Sequence, residues 1–195
     1  MGEAGIWATC NIGANSPEEY GLYFAWGETT GYANASDKEG GFTWETAPYW
    51  VSGSDLSTKW SKYTTTNGYS SDGIADNKTI LELEDDAAHV NMGGDWRIPT
   101  PTDFTKLCNA CNSIWLTSYN GKNVNGKLYT LKSDSSKQLF FPAAGLSDNS
   151  SMDRVGSYGE YHSRNLNTIN YKSSSFRFHS SGNFSTTSNN RYYGT

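Results

Sequence analysis

The sequence predicts an α+β fold of short antiparallel strands, two main helices and long ordered loops, and three observations carry that prediction. Charged residues make up only 18% of the 195 positions while aromatics make up 14% and glycine fills 20 of them, a balance that favours stacked rings and turns over a helical bundle. Two stretches then carry helix-start chemistry, the acids Glu84-Asp85-Asp86 and the Thr100-Pro101-Thr102-Asp103 arrangement of N-cap hydroxyl, proline and acid. Finally, two pairs of apolar runs flank polar turns, the signature of hairpins. A chain of this length forms one domain with room for a core.

In chain order, residues 6–9 read as a first strand, and Ser16-Pro17-Glu18-Glu19 opens a short helical turn. Leu22-Tyr23-Phe24-Ala25-Trp26 is an apolar run ending at Gly27, a buried strand. From 29 to 73 the chain is Gly, Ser, Thr and Asn interrupted by Trp44, Trp50, Trp60 and Tyr63. A free linker does not carry that many rings, so this is a long loop pinned by aromatics. Residues 81–90 form the first main helix, and Gly93-Gly94 turn the chain. The second starts at Thr100 and places Phe104, Leu107, Cys108 and Cys111 on one stripe at i, i+3, i+4 and i+7. Residues 128–132 and 138–141 pair across Ser133-Asp134-Ser135-Ser136, and 176–179 pair with 184–187 across Ser180-Ser181-Gly182-Asn183. In that last hairpin, alternation sends Arg177 and His179 outward if Phe176 and Phe178 face the core.

The cysteines are an odd set. Cys108 and Cys111 have C-x-x-C spacing, but a structural zinc site needs four ligands and no second pair follows. A redox motif needs a βαβ context that is not evident. They read as two half-buried thiols on one helix, with a disulfide from Cys10 to either left open for an exported protein. A formal charge of -5 with a pI near 5.1 speaks against a broad nucleic-acid-binding face. The apolar runs are too short for a membrane span, so direct membrane insertion is not expected. The first five residues lack a basic and apolar signal region and read as a trimmed start or a domain boundary.

Residues 156–195 have a composition of their own. Tyr, Ser, Asn, Thr, His and Arg dominate over a thin scaffold of Leu166, Phe176, Phe178, Gly182, Phe184 and Gly194. Tyrosine gives rigid amphipathic contact area while Ser, Asn and Gly give adaptable hydrogen bonds, as in antibody loops, so this stretch reads as a recognition surface. A disordered tail lacks such regularly placed aromatics.

Several motifs, in order along the chain, carry a resemblance. They are Trp7-Ala8-Thr9-Cys10-Asn11-Ile12-Gly13-Ala14, Glu18-Glu19-Tyr20-Gly21, Phe24-Ala25-Trp26-Gly27-Glu28, Leu83-Glu84-Asp85-Asp86-Ala87-Ala88, Trp96-Arg97-Ile98-Pro99-Thr100 and Phe141-Pro142-Ala143-Ala144-Gly145. Together they resemble the Bacteroidetes and Fibrobacter paralogous domains of C-type-lectin-like fold. The C-terminal region, with fixed points at Gly156, Gly159, Tyr161, Ser163, Leu166, Phe176, Phe178, Gly182 and Arg191-Tyr192-Tyr193-Gly194, is similar to the variable region of a diversity-generating retroelement target protein. The resemblance implies a 1–155 scaffold carrying a diversified 156–195 ligand-binding region. It places ligand contacts between the fixed points, at His162, Arg164, Asn165, Asn167, Asn170, Tyr171, Arg177, His179, Asn183, Ser185 and Thr187, with Tyr192 added. The implied ligand is a protein or glycan on a cell or phage-host surface, and the implied location is extracellular, on a bacterial surface or a phage virion. Relatives continue past the Tyr-Gly pair with a short strand, so the resemblance implies either an exposed sheet edge near Thr195 or a truncated chain.

No catalytic residue, cofactor or metal is expected. Formylglycine-generating enzymes use a related scaffold with cysteines in the C-terminal half, and no Cys follows Cys111. His162 or His179 can be combined with many serines, but no nucleophile elbow accompanies them. Asp85, Asp86 and His89 have a tolerable metal-ligand spacing, yet helix capping is the better reading. The Glu-Pro-Asn or Gln-Pro-Asp and Trp-Asn-Asp motifs of calcium-dependent sugar-binding lectins are missing. A non-diversified surface or structural domain of the same fold is the alternative.

Overall fold

The computed structural model describes residues 4–182 and 185–195. Its strands and helices run β1 (Trp50–Ser52), β2 (Lys59–Trp60), α1 (Ala87–Met92), α2 (Pro101–Ala110), β3 (Cys111–Leu116), β4 (Gly126–Leu131), β5 (Gln138–Pro142), β6 (Leu146–Asp148), β7 (Ser151–Asp153), β8 (Tyr158–Leu166), β9 (Lys172–His179) and β10 (Ser185–Asn190). The architecture is mixed α and β, with every strand ladder antiparallel and the helical content low. Two three-stranded sheets, ordered β3-β4-β5 and β10-β9-β8, are accompanied by the hairpins β1-β2 and β6-β7. Among the described residues no helix is long and apolar enough to cross a membrane.

Helix α2 starts where the sequence predicts, whereas the helix expected over 81–90 begins only at Ala87, after a 3-10 turn, because its cap is Asp86. Thr100 Oγ1 accepts the Asp103 amide at 3.1 Å while the Asp103 carboxylate accepts the Thr100 amide at 2.9 Å, a capping box. Burial works against the Asp103 charge, but Arg97 and Thr100 outweigh it and hold this carboxyl at about 2. Asp86 caps α1, its Oδ1 accepting the amides of Ala88 and His89 and, from across the Gly93-Gly94 turn, that of Ile98 at 2.9 Å. Of the acids at 84–86 Asp86 caps the helix, while Glu84 and Asp85 belong to the 3-10 turn Leu83–Asp85 and bond to Lys62.

Helix α2 organises the main core. Phe104 stacks on Phe176 with centroids 4.3 Å apart, and Phe141, Phe178, Tyr129 and Leu107 close around the pair. A second cluster gathers Tyr23, Ala25, Ala35, Phe42 and Ala144, and a third Trp26, Tyr63, Leu81 and Leu166. The long loop is pinned as expected, with Trp60 and Tyr63 fully buried, though Trp44 and Trp50 are only half-buried.

Other expectations need correction. Residues 6–9 form no strand, and Ile6 is 87% exposed, since no backbone hydrogen bond among the described residues pairs this segment. Residues 22–26 are buried or nearly so, but among the described residues they make an isolated Tyr23–Tyr32 bridge and no ladder, and packing with single bonds such as the Trp26 amide to Arg191 O holds them. The turn at 16–19 is closed by the Glu19 amide donating to Ser16 O and the Asn15 amide to the Glu19 carboxylate, and no helix follows. Cys111 lies beyond the α2 stripe; it is the C-cap from which the chain enters β3, so the two cysteines do not share a helix. All three thiols are free, and burial pushes Cys108 up to about 11. The 128–132 hairpin is present as β4-β5, with β3 added to its edge. In the C-terminal hairpin Phe184 and Asn183 lie outside the described residues, and the long strand β8, missed in the sequence, completes the sheet. Near the chain end the Thr195 amide donates to Phe24 O and Gly194 bridges Ser147, so this segment is paired rather than open.

Candidate functional site

The register of the β8-β9-β10 sheet sorts residues 156–195 into two faces. Tyr161 lies opposite Phe176 and Gly159 opposite Phe178, facing the core. Glu160 lies opposite Arg177, Arg177 opposite Ser185, and Ser175 opposite Thr187, on the other face. Several fixed points of the sequence pattern have a packing reason. A Cβ on Gly159 would sit 2.0 Å from the Phe178 ring, and one on Gly194 would sit 2.5 Å from Phe42.

Arg191 holds this region to the rest of the molecule. It is fully buried, with its guanidinium 3.8 Å from the Trp60 ring centroid and 4.8 Å from that of Trp26. Its Nη1 and Nη2 donate to Tyr63 O, Asn170 O and Lys62 O, each at 3.3 Å. Burial lowers its pKa to about 9, so it remains a cation at neutral pH.

The predicted contact residues separate into groups. His162 and Asn170 are corrections: they are 8% and 2% exposed and bond inward. The Ser173 hydroxyl lies 2.7 Å from His162 Nδ1, and Nε2 lies 2.9 Å from Tyr193 O. Burial, opposed by the Tyr193 carbonyl and Glu160, lowers His162 to about 4. Ser173 is itself fully buried. Asn170 accepts the Thr65 amide at 2.6 Å and donates to Thr65 and Thr66 hydroxyls, tying the C-terminal region to the long loop. Polar side chains at these positions fill the interior because each finds a partner there.

Arg164 is also an internal tie, donating to Leu81 O at 2.7 Å with Nε 3.6 Å from the Asp86 carboxylate. Asn165 bridges Ile80 through its backbone, and Asn167 caps its own turn by accepting the Ile169 amide. The remaining described candidates reach solvent. Arg177 faces outward as alternation predicts, its side chain 28% exposed, and its Nε lies 2.8 Å from Glu160 Oε1. His179 packs 5.1 Å from the Tyr158 ring. Ser185 is exposed, and Thr187, Tyr171 and Tyr192 are half-buried. Asn183 lies outside the described residues.

Two features were not expected. The first is a polar cleft of about 310 Å³ between the β6-β7 hairpin and the β9-β10 strands, lined among others by Asp148, Asp153, Arg154, Lys172, Arg177 and Asn190. Its buried anchor is Glu160, which receives Arg154 at 2.9 Å, Arg177 and the Asn189 amide at 2.9 Å. Burial and the neighbouring Asp153 raise the Asp148 carboxyl above its ordinary value. The second is a stripe of half-buried rings. Trp44 lies 4.5 Å from Tyr192 and 6.1 Å from Tyr171, Tyr171 lies 6.3 Å from Tyr69, and Tyr192 lies 4.7 Å from Tyr193. The isolated aromatics of the long loop were a signal for the stripe, but read alone they suggest core anchors.

One acidic group has metal-ligand spacing. Oxygens of Glu82, Glu84 and Asp85 lie within 4.8 Å of one another. The Lys62 ammonium already sits among them, 2.6 Å from Glu82 and 2.6 Å from Asp85, and the Tyr49 and Tyr63 hydroxyls donate to Asp85. Desolvation works against the Lys62 charge, but these carboxylates outweigh it and raise its pKa. Lys62 thus fills the role a cation would have. In comparisons with protein-family models, curated proteins and solved structures, nothing matches this chain.

Proposed function

We propose that the protein is a ligand-binding protein of C-type-lectin-like fold whose C-terminal region displays a surface diversified by a retroelement. The observation that carries the reading is the separation of faces within residues 156–195. Gly159, Leu166, Phe176, Phe178, Arg191 and Gly194 are buried, while Arg177, His179, Ser185, Thr187 and Tyr192 reach solvent around the sheet. Residues of the second kind, apart from Arg177 with its tie to the buried Glu160, can change without disturbing the first, which a diversified surface requires. His162 and Asn170 drop out of the contact set, since both are committed to internal bonds. The ligand is a protein or glycan met outside the cell, from a bacterial surface or a phage virion.

The test is to sequence the surrounding locus. A reverse transcriptase beside a near-copy of the segment encoding residues 156–195, with mismatches confined to template adenines, is the expected result. If sibling copies instead differ through residues 29–73 as readily as through 159–193, the chain is a non-diversified surface or structural domain.

A further inference from the structure

We infer that the aromatic stripe and the adjoining cleft form a binding site for an uncharged carbohydrate chain. The inference rests on the reading of this region as a binding surface, but not on whether that surface is diversified.

Four chain segments converge to make the stripe. Trp44 and Tyr69 come from two places in the long loop, Tyr171 from the turn before β9, and Tyr192 and Tyr193 from beyond β10. All five rings are half-buried, so each is held by packing and still reaches solvent. Trp44 is fixed from below by the buried Trp60, 6.2 Å away, which in turn carries Arg191. The stripe runs into the cleft through shared residues. Tyr193, Lys172 and Asn190 line the cleft, while Lys172 Nζ also lies 5.7 Å over the Tyr171 ring.

The charges select the ligand. The cleft-lining cations Arg154, Lys172 and Arg177 are matched by the lining carboxylates Asp148 and Asp153 and by Glu160, which is buried and paired to both arginines. An anionic or cationic partner gains no net attraction there. Hydroxyl groups, which donate and accept together, suit such a mixture of carboxylates, cations, Asn190 and Ser188. Rings alongside suit the apolar faces of sugars, and the pattern of apolar surface with a few convergent polar groups is that of a small-molecule site.

The experiment presents the whole chain, in EDTA, to an array of immobilised neutral and charged oligosaccharides, followed by titration of the best neutral one. Tyr192→Ala and Tyr69→Ala are compared with Ile114→Ser, an exposed position on β3, and thermal melts check that each variant is folded. The expected result is retention of a subset of neutral oligosaccharides without calcium, weakened about tenfold or more by either tyrosine change and unchanged by the control. Retention of charged glycans alone, retention of none, or affinity indifferent to both tyrosines overturns the inference. If the array is blank while a polypeptide is captured in a Tyr192-dependent way, the carbohydrate assignment fails and the binding-surface reading stands.

Discussion

The two three-stranded sheets use opposite means to occupy an interior. In β3-β4-β5 the central strand is buried along most of its length and filled by Leu128, Tyr129 and Leu131 against Leu139, Phe140 and Phe141. Its one buried charge, Lys127, spends its ammonium on Gly182 O in the turn after β9. In β8-β9-β10 the core side relies on Phe176 and Phe178, while Glu160, His162, Ser163, Ser173 and Asn189 are buried as polar groups. More than half of the buried polar residues described fall within 156–195. An apolar sheet is stabilised by area removed from water, whereas a polar interior is stable only while each group keeps its partner. The second sheet therefore concentrates its nonpolar stability in few residues and its specificity in many.

The largest expected effect removes one of those few. Phe176→Ala deletes the ring stacked on Phe104 and packed against Phe141, and costs about 3–5 kcal/mol. Urea denaturation checks it, and a loss below about 1 kcal/mol would mean that the sheet does not depend on this ring.

Acid sharpens the comparison next, because only the polar interior holds a buried histidine. His162 titrates near 4 when folded against an ordinary 6.5. The unfolded chain takes up this proton first, so stability is full above about pH 6.5 and is lost as pH falls toward 4. The loss is on the order of 3 kcal/mol. It precedes the loss from the Asp103 carboxyl, held at about 2, which begins only below the ordinary range near 3.8. Denaturation across pH 4–7 measures the slope, and His162→Gln is expected to flatten it. An unchanged slope in that variant would assign the effect elsewhere.

What could be read in the sequence follows the same division. Helix caps were legible, though the α1 start was placed too early, because capping is local: Thr100 and Asp103 are three residues apart, and so are Asp86 and His89. Hairpins were legible because Leu139 to Phe141 and Phe176 to Phe178 announce buried strands. Strand β8 was not, since Glu160, His162 and Ser163 look exposed until distant partners are known: Arg177 for Glu160, Ser173 and Tyr193 for His162. The same distance hid the candidate site. Asn170 has the composition of a contact residue and bonds instead to Thr65 and Thr66 over a hundred positions earlier. Tyr192 and Tyr171 gain meaning only beside Trp44, from a loop that by itself reads as core anchoring.

The smallest expected effect tests the outer face of the polar sheet. Among the described residues the Ser185 and Thr187 hydroxyls have no hydrogen-bond partner, and both lie on the edge strand β10. Replacing either by Asn, Tyr or His removes no buried contact and should change stability by no more than about 0.5 kcal/mol. Polar substitution at His162 or Asn170 should cost more, because it leaves internal partners unmet. Thermal melts of a small panel at the four positions decide this. If Ser185 and Thr187 prove as costly as His162 and Asn170, the outer face is part of the structural network and the division between held and replaceable polar residues collapses. If they prove silent, the β10 edge can carry unrelated side chains on one scaffold, as a diversified surface demands.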